Sequence, residues 1–289
     1  MGQKQVRFAG FEGISLVADV WGDERAWPVL LMHGGGQTRH AWGNTARTLA
    51  ESGWRAIALD LRGHGDSDWA QNGDYSFTSF GADCIAVADQ LGRPPVLVGA
   101  SLGGVSAILA EGNSDRTVSC GLVIVDITHR TNPEGIQRIK DFMMSGLGGF
   151  ATLEDAAAAI AAYTPQRKRA PNPEGLRKVL RRKRDGRWHW HWDPRFMERG
   201  RTEVPLPDFQ GLFDLALANI RVPTLLVRGK LSDVVTEEGA QDFLAKIPGS
   251  KLADVSDAAH MVAGDQNDAF SSAVISFLAD DVRPRLKAP

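Results

Sequence analysis

Cysteine is nearly absent from this chain of 289 residues, which carries only Cys84 and Cys120. One pair in apolar segments has neither metal-ligand spacing nor the look of a disulfide framework, so both read as buried thiols. An apolar signal core is lacking at the N-terminus, and no apolar run approaches the length of a membrane span. The expectations are therefore a cytoplasmic location and no membrane partner. An excess of charge of one sign is lacking too: 33 Lys and Arg stand against 35 Asp and Glu, for a net charge of -2. That balance gives no global pull toward nucleic acid. Met1 and Gly2 open as a myristoylation signal does, but Val6 occupies the position that wants Ser or Thr. What remains is the ordinary composition of a globular chain, 43% hydrophobic and 24% charged. The length suits one large α/β domain with an insertion.

Three segments carry chemistry. Gly99-Ala100-Ser101-Leu102-Gly103 lies between an apolar strand, Val96-Leu97-Val98, and a small-residue helix from Gly103 to Ala110. A serine at that junction is forced onto a sharp turn with its hydroxyl aimed outward, and the flanking glycines let neighbouring backbone pass closely. This is the pattern of a nucleophile elbow. His33-Gly34-Gly35-Gly36 follows the apolar run Val29-Leu30-Leu31-Met32. Acyl transfer needs N–H donors aimed at the oxygen that becomes negative, and glycines supply them from backbone alone. Asp257-Ala258-Ala259-His260 comes late, after a strand expected over Ser250 to Val255. With an acid upstream, it completes the order Ser, Asp, His.

These segments, together with Leu59-Asp60-Leu61-Arg62-Gly63-His64-Gly65-Asp66-Ser67 and Leu226-Val227-Arg228-Gly229-Lys230-Leu231-Ser232-Asp233, make the chain resemble an α/β-hydrolase. The similarity is to the serine esterase, non-haem haloperoxidase and epoxide-hydrolase-like branch. It implies an α/β-hydrolase fold: a mostly parallel eight-stranded sheet flanked by helices, with a helical cap insertion. The core domain is expected over residues 1–130 and 214–289, and the cap over 131–213. No cofactor and no metal are implied.

The alternation of periods agrees. Strands are expected at Gln5–Phe8, Ile14–Trp21, Val29–Met32, Trp54–Leu59, Val96–Val98, Leu122–Val125 and Pro223–Val227, and helices at Ala41–Ser52 and Thr78–Leu91. Strands alternating with helices imply a parallel sheet with its ligand site beyond the carboxyl ends of the strands. His33, Asp60, Ser101, Asp126 and Asp233 all fall at or just past such ends. Between Thr131 and Phe213 the alternation breaks. An alanine-rich helix is expected at Leu153–Tyr163 and a basic helix from Glu174 to about Arg184, followed by Trp188, Trp190 and Trp192.

In the chemistry this implies, Ser101 is the nucleophile and His260 its base. The resemblance puts the acid at Asp233, with Asp126 at the end of the preceding strand as the alternative. The oxyanion donors are the N–H of Leu102 and, by resemblance, that of Gly35, with Gly36 as the alternative. Epoxide hydrolases and haloalkane dehalogenases of this fold attack with aspartate, so serine here points to acyl transfer instead. The expected substrate is a small carboxylic ester or lactone. His40, Trp42, Trp188, Trp190 and Trp192 are candidates for the pocket wall, and also for plain packing. Arg62 and His64 are expected to tie down the Gly63–Gly65 turn, and the basic run Arg181–Arg184 to face solvent. The same triad also serves perhydrolases and non-haem haloperoxidases, carbon–carbon bond hydrolases and cofactor-free oxygenases, and the fold also hosts non-catalytic ligand receptors. Monomer and homodimer both stay open.

Overall fold

Apolar residues alternate between two directions along the central strands, and this places them in the middle of a sandwich. In a computed structural model that describes residues 3–165, 172–201, 206–256, 258 and 267–286, ten strands form two sheets. The strands are β1 (Lys4–Ala9), β2 (Ser15–Trp21), β3 (Pro28–Met32), β4 (Arg55–Leu59), β5 (Val96–Ala100), β6 (Gly121–Val125), β7 (Leu180–Arg182), β8 (Trp188–Trp190), β9 (Thr224–Gly229) and β10 (Lys251–Val255). Eight of them form one sheet in the order β1-β2-β4-β3-β5-β6-β9-β10. Only the β1–β2 and β2–β4 pairings are antiparallel.

Leu30, Met32, Ile57, Leu59, Leu97 and Ile124 point to one face of this sheet. Val29, Leu31, Ala56, Ala58, Val98 and Val123 point to the other. Both sets are wholly buried, as strands covered on both faces must be. Helices α1 (Gly43–Glu51) and α8 (Asn267–Phe277) cover the second face through Ala46, Leu49, Phe270 and Val274. The first face lies under α2 (Phe77–Asp89), α3 (Leu102–Gly112), α6 (Leu206–Asn219) and α7 (Glu237–Lys246). Every residue of α3 is buried. A methyl on Gly112 would lie 2.1 Å from the carbonyl oxygen of Ala216, so glycine there lets α6 approach α3 backbone to backbone.

Between β6 and β9 the chain leaves the sheet. It forms α4 (Pro133–Ser145), capped by the Asn132 side chain, and α5 (Leu153–Tyr163), capped by a Thr152–Asp155 box. The basic helix expected from Glu174 is not formed. A 3-10 turn covers Glu174–Lys178, after which β7 pairs antiparallel with β8. The hairpin turn sits at Gly186, with φ of +80°, and the alternation of Trp188, His189 and Trp190 suits a strand rather than a helix. The basic run therefore spans a strand end and a turn; its residues from Arg182 to Arg184 are exposed. Cys84 is buried as expected, whereas Cys120 is only half-buried.

Candidate active site

Strand β5 runs into Ser101, and α3 begins at the next residue. Ser101 holds φ 47° and ψ -112°, a combination L-residues rarely adopt. Its N–H donates to the carbonyl of Val125 (3.0 Å), which ties the corner to β6. A methyl on Gly99 would lie 2.2 Å from the carbonyl oxygen of Gly103, and one on Gly103 would lie 2.3 Å from that of Met32. The two glycines are thus what lets the strand turn into the helix at this corner. The Leu102 N–H belongs to the first turn of α3, where the helix itself supplies no acceptor and the dipole favours negative charge.

The sheet register lines up the strand ends. Met32 stands opposite Gly99, Ala100 opposite Val125, and Val125 opposite Val227. The residues just past those ends, His33, Ser101 and Asp126, therefore share one edge. Asp126 also has a positive φ, 49°, and its side chain is wholly buried. Its Oδ1 accepts the Gly229 N–H (3.1 Å), and its Oδ2 accepts the hydroxyl of Ser232 (2.5 Å). Asp233, the next residue along that loop, turns elsewhere. Its carboxylate pairs with Arg138 of α4 at 2.8 Å and is one-third exposed. Leu231 N–H donates to the carbonyl of Ala258 (2.9 Å), so the chain beyond β10 returns alongside the loop that holds Asp126. His260 and Asp257 lie outside the described residues.

The glycine loop after β3 is pinned at both ends. Gly34 N–H donates to Gln37 Oε1 (3.1 Å), and Gly36 N–H donates to His64 Nε2 (3.1 Å). Among the described residues, Gly35 N–H has no such acceptor. Leu102 and Phe196 lie against Gly35, and Met143 and Trp192 against Gly36, so apolar side chains roof the loop. His33 beneath it is fully buried. Burial drives its pKa down to about 4 despite its bond to the Gly34 carbonyl, so the ring is neutral at pH 7.

Several candidates take other places. Of the two readings left open for Trp42, the packing one fits its place: its indole is buried on the opposite face of the sheet, 5.8 Å from the Phe270 ring. His40 sits beside Asp19 at 3.8 Å. Burial, and then Arg39, lower its pKa. Trp188 lies under the Arg177 guanidinium, and Trp190 packs edge-on against Phe142 and Phe150. Of these three tryptophans, Trp192 is the one that reaches the glycine loop. Arg62 does not simply fasten its own turn. It pairs with Asp83 through Nε (2.6 Å) and Nη2 (2.8 Å). His64 is the residue the motif reading underrated, because its acceptor nitrogen serves a loop 28 residues away. No group of three metal-ligating side chains occurs among the described residues. A cavity of about 620 Å³ opens between Phe11, Trp69 and Arg62, away from Ser101.

Known proteins share this fold. A model of the alpha/beta hydrolase family matches residues 29–273. The esterase Rv0045c of Mycobacterium tuberculosis is 30% identical over 233 residues, which is 77% of this chain and 72% of that protein. A crystal structure of that esterase superposes with a TM-score of 0.74 at 27% identity, covering 96% of this chain and 92% of that one. A 3-hydroxybutyrate-oligomer hydrolase of Cupriavidus necator is 26% identical over 83% of this chain and 85% of its own length. The structure of E-2-(acetamidomethylene)succinate hydrolase shares the fold at a TM-score of 0.82 and 20% identity, covering 96% of this chain and all of that one.

Proposed function

The chain belongs to the alpha/beta hydrolase family, and from that premise we propose that it is a cofactor-independent serine hydrolase. It cleaves carboxylic esters or lactones through an acyl-enzyme on Ser101. The observation that carries this reading is the backbone of Ser101, held at φ 47° and ψ -112° where a strand turns into a helix. Strain of this kind persists only where surrounding structure imposes it, and it clusters at reactive sites. That two relatives are an esterase and an oligomer hydrolase supports ester chemistry.

In the proposed reaction, Ser101 Oγ attacks the ester carbonyl while His260 takes its proton. The carbonyl oxygen becomes an oxyanion and accepts the N–H groups of Leu102 and Gly35. Gly36 is the weaker choice of donor, because its N–H is already given to His64. Collapse of the tetrahedral intermediate breaks the bond to the leaving alcohol, which receives the proton from His260. Water then attacks the acyl-enzyme with His260 again as base, releasing the acid and restoring Ser101. For the group that orients His260, the geometry favours Asp126 over Asp233. Asp126 is buried, follows the strand beside Ser101, and is fixed by two donors. Asp233 is spent on Arg138. The segment 131–213 acts as a cap whose Met143, Trp192 and Phe196 make the acyl pocket apolar.

The test is pre-steady-state hydrolysis of short p-nitrophenyl esters. A burst of p-nitrophenol matching the enzyme concentration, absent in Ser101→Ala, is the expected result. Hydrolysis that Ser101→Ala retains would overturn the reading.

A further inference from the structure

The glycine loop and the loop after β4 are joined by two histidines whose protons have only one place to be. A backbone N–H can only donate, and a carbonyl can only accept. His64 Nε2 receives the Gly36 N–H at 3.1 Å, so that nitrogen is bare; Nδ1 faces the Arg62 carbonyl at 2.9 Å, so it carries the proton. His33 repeats the pattern one layer deeper. Its Nε2 receives the Leu61 N–H (3.1 Å), and its Nδ1 donates to the Gly34 carbonyl (2.8 Å). Each ring thus bonds both the opposite loop and its own, and the two rings lie 5.2 Å apart at 59°. Both side chains are wholly buried. Phe196 closes over His64 edge-on at 5.0 Å, and a methyl on Gly35 would meet that same phenyl ring at 3.4 Å. The pair holds Gly34 by its carbonyl and Gly36 by its N–H, and the N–H of the residue between them, Gly35, has no acceptor among the described residues.

We propose that His64 is a positioning residue for the oxyanion site: as a neutral, Nδ1-protonated imidazole it holds the Gly36 peptide so that the Gly35 N–H faces the reacting oxygen. His33 supports it from below. This rests on the serine-hydrolase reading above. An imidazolium at position 64 would set a second N–H against that of Gly36 and release the loop. The neutral ring is therefore the working form.

Two measurements test it. On the wild-type protein, long-range ¹H–¹⁵N correlation NMR of the histidine rings should show His64 as the Nδ1–H tautomer between pH 6 and 8. An Nε2–H tautomer or an imidazolium there would overturn the proposal, whatever any variant does. Kinetically, His64→Leu removes the acceptor, whereas His64→Gln keeps one near the Nε2 position. His64→Leu should lower kcat on p-nitrophenyl esters by about 10- to 100-fold, as a misplaced donor does, with little change in KM. Its Ki for a trifluoromethyl ketone, which forms an oxyanion on the serine, should weaken by a similar factor. His64→Gln should recover most of kcat even though it melts lower than wild type. If His64→Leu keeps kcat within about two-fold, or His64→Gln recovers stability without kcat, the positioning role is wrong. Should the wild-type enzyme itself neither turn over esters nor bind the ketone, the hydrolase reading fails first, and the tautomer result still stands on its own.

Discussion

Two of the three non-glycine residues with positive φ among those described, Ser101 and Asp126, end neighbouring strands at the same edge of the sheet. Such conformations cost on the order of 1–3 kcal/mol each and must be held by their surroundings. Ser101→Gly should therefore abolish ester turnover while raising Tm by about 2–4 °C in thermal melts, as relief of about 1 kcal/mol does for a chain of this size. A fall in Tm would mean that the serine side chain contributes more to packing than its backbone costs. Asp126→Asn should lower kcat by about 10⁴-fold, the effect of losing the group that sets the tautomer of the base. Asp233→Asn, which gives up only a partly exposed pair with Arg138, should stay within about ten-fold. The reverse ranking in steady-state kinetics would return the acid to Asp233. The corner was legible in the sequence: Gly99, Ser101 and Gly103 lie within one strand-to-helix turn, so their spacing reports that turn. The partners of the two aspartates were not, since both follow strand ends and differ only in where the carboxylate points. The reach of His64 to Gly36 was hidden for the same reason, because nothing local reports a partner 28 residues away.

Elements were legible wherever one period held for long enough. The short continuous apolar runs of β3, β5 and β6 match their expected positions because both faces of each strand are buried, and the helix Leu153–Tyr163 does because its alanine-rich run follows a Thr152–Asp155 capping box. The segment from Glu174 misled, because Leu176, Val179 and Leu180 fall at helical spacing over too short a stretch to outweigh the Gly186 turn and the tryptophan alternation that follow. After the hairpin, the chain is riveted to the core at Asp193. Its carboxylate accepts the Tyr75 hydroxyl (2.5 Å) and the Arg195 guanidinium, and its N–H donates to the Gly63 carbonyl. Tyr75→Phe should cost about 1–3 kcal/mol, the price of leaving a buried acceptor short of a donor, read as a lower midpoint in urea. No change in the midpoint would show that Arg195 alone suffices. Burial pushes the Asp193 carboxyl up, but the bonds from Arg195 and Tyr75 outweigh it and hold its pKa below the usual range. A carboxylate lowered in the folded state stabilises above its unfolded pKa and loses that contribution as pH falls through its folded value. The rivet should therefore hold at neutral pH and weaken below about pH 4.

For the molecule as a whole, the fold was readable because strand–helix alternation admits few topologies, and the eight-stranded order β1-β2-β4-β3-β5-β6-β9-β10 is the one that brings Ser101 beside Asp126. The same burial makes acid the condition that threatens it. His33 has its pKa lowered from 6.5 to about 4 by burial, so the unfolded chain takes up a proton before the native one does. Stability should be complete above about pH 6.5 and fall as pH drops from there toward 4, by on the order of 3 kcal/mol from this residue. Chemical denaturation at a series of pH values checks this, and a flat profile between pH 7 and 4.5 would contradict it. The central claim, that Ser101 is an activated nucleophile, is tested most directly by covalent capture. The folded protein is treated with a fluorophosphonate probe, digested and mapped by mass spectrometry. The account predicts one labelled residue, Ser101, with labelling lost in Ser101→Ala. Labelling elsewhere, or none in the folded wild-type protein, would contradict it.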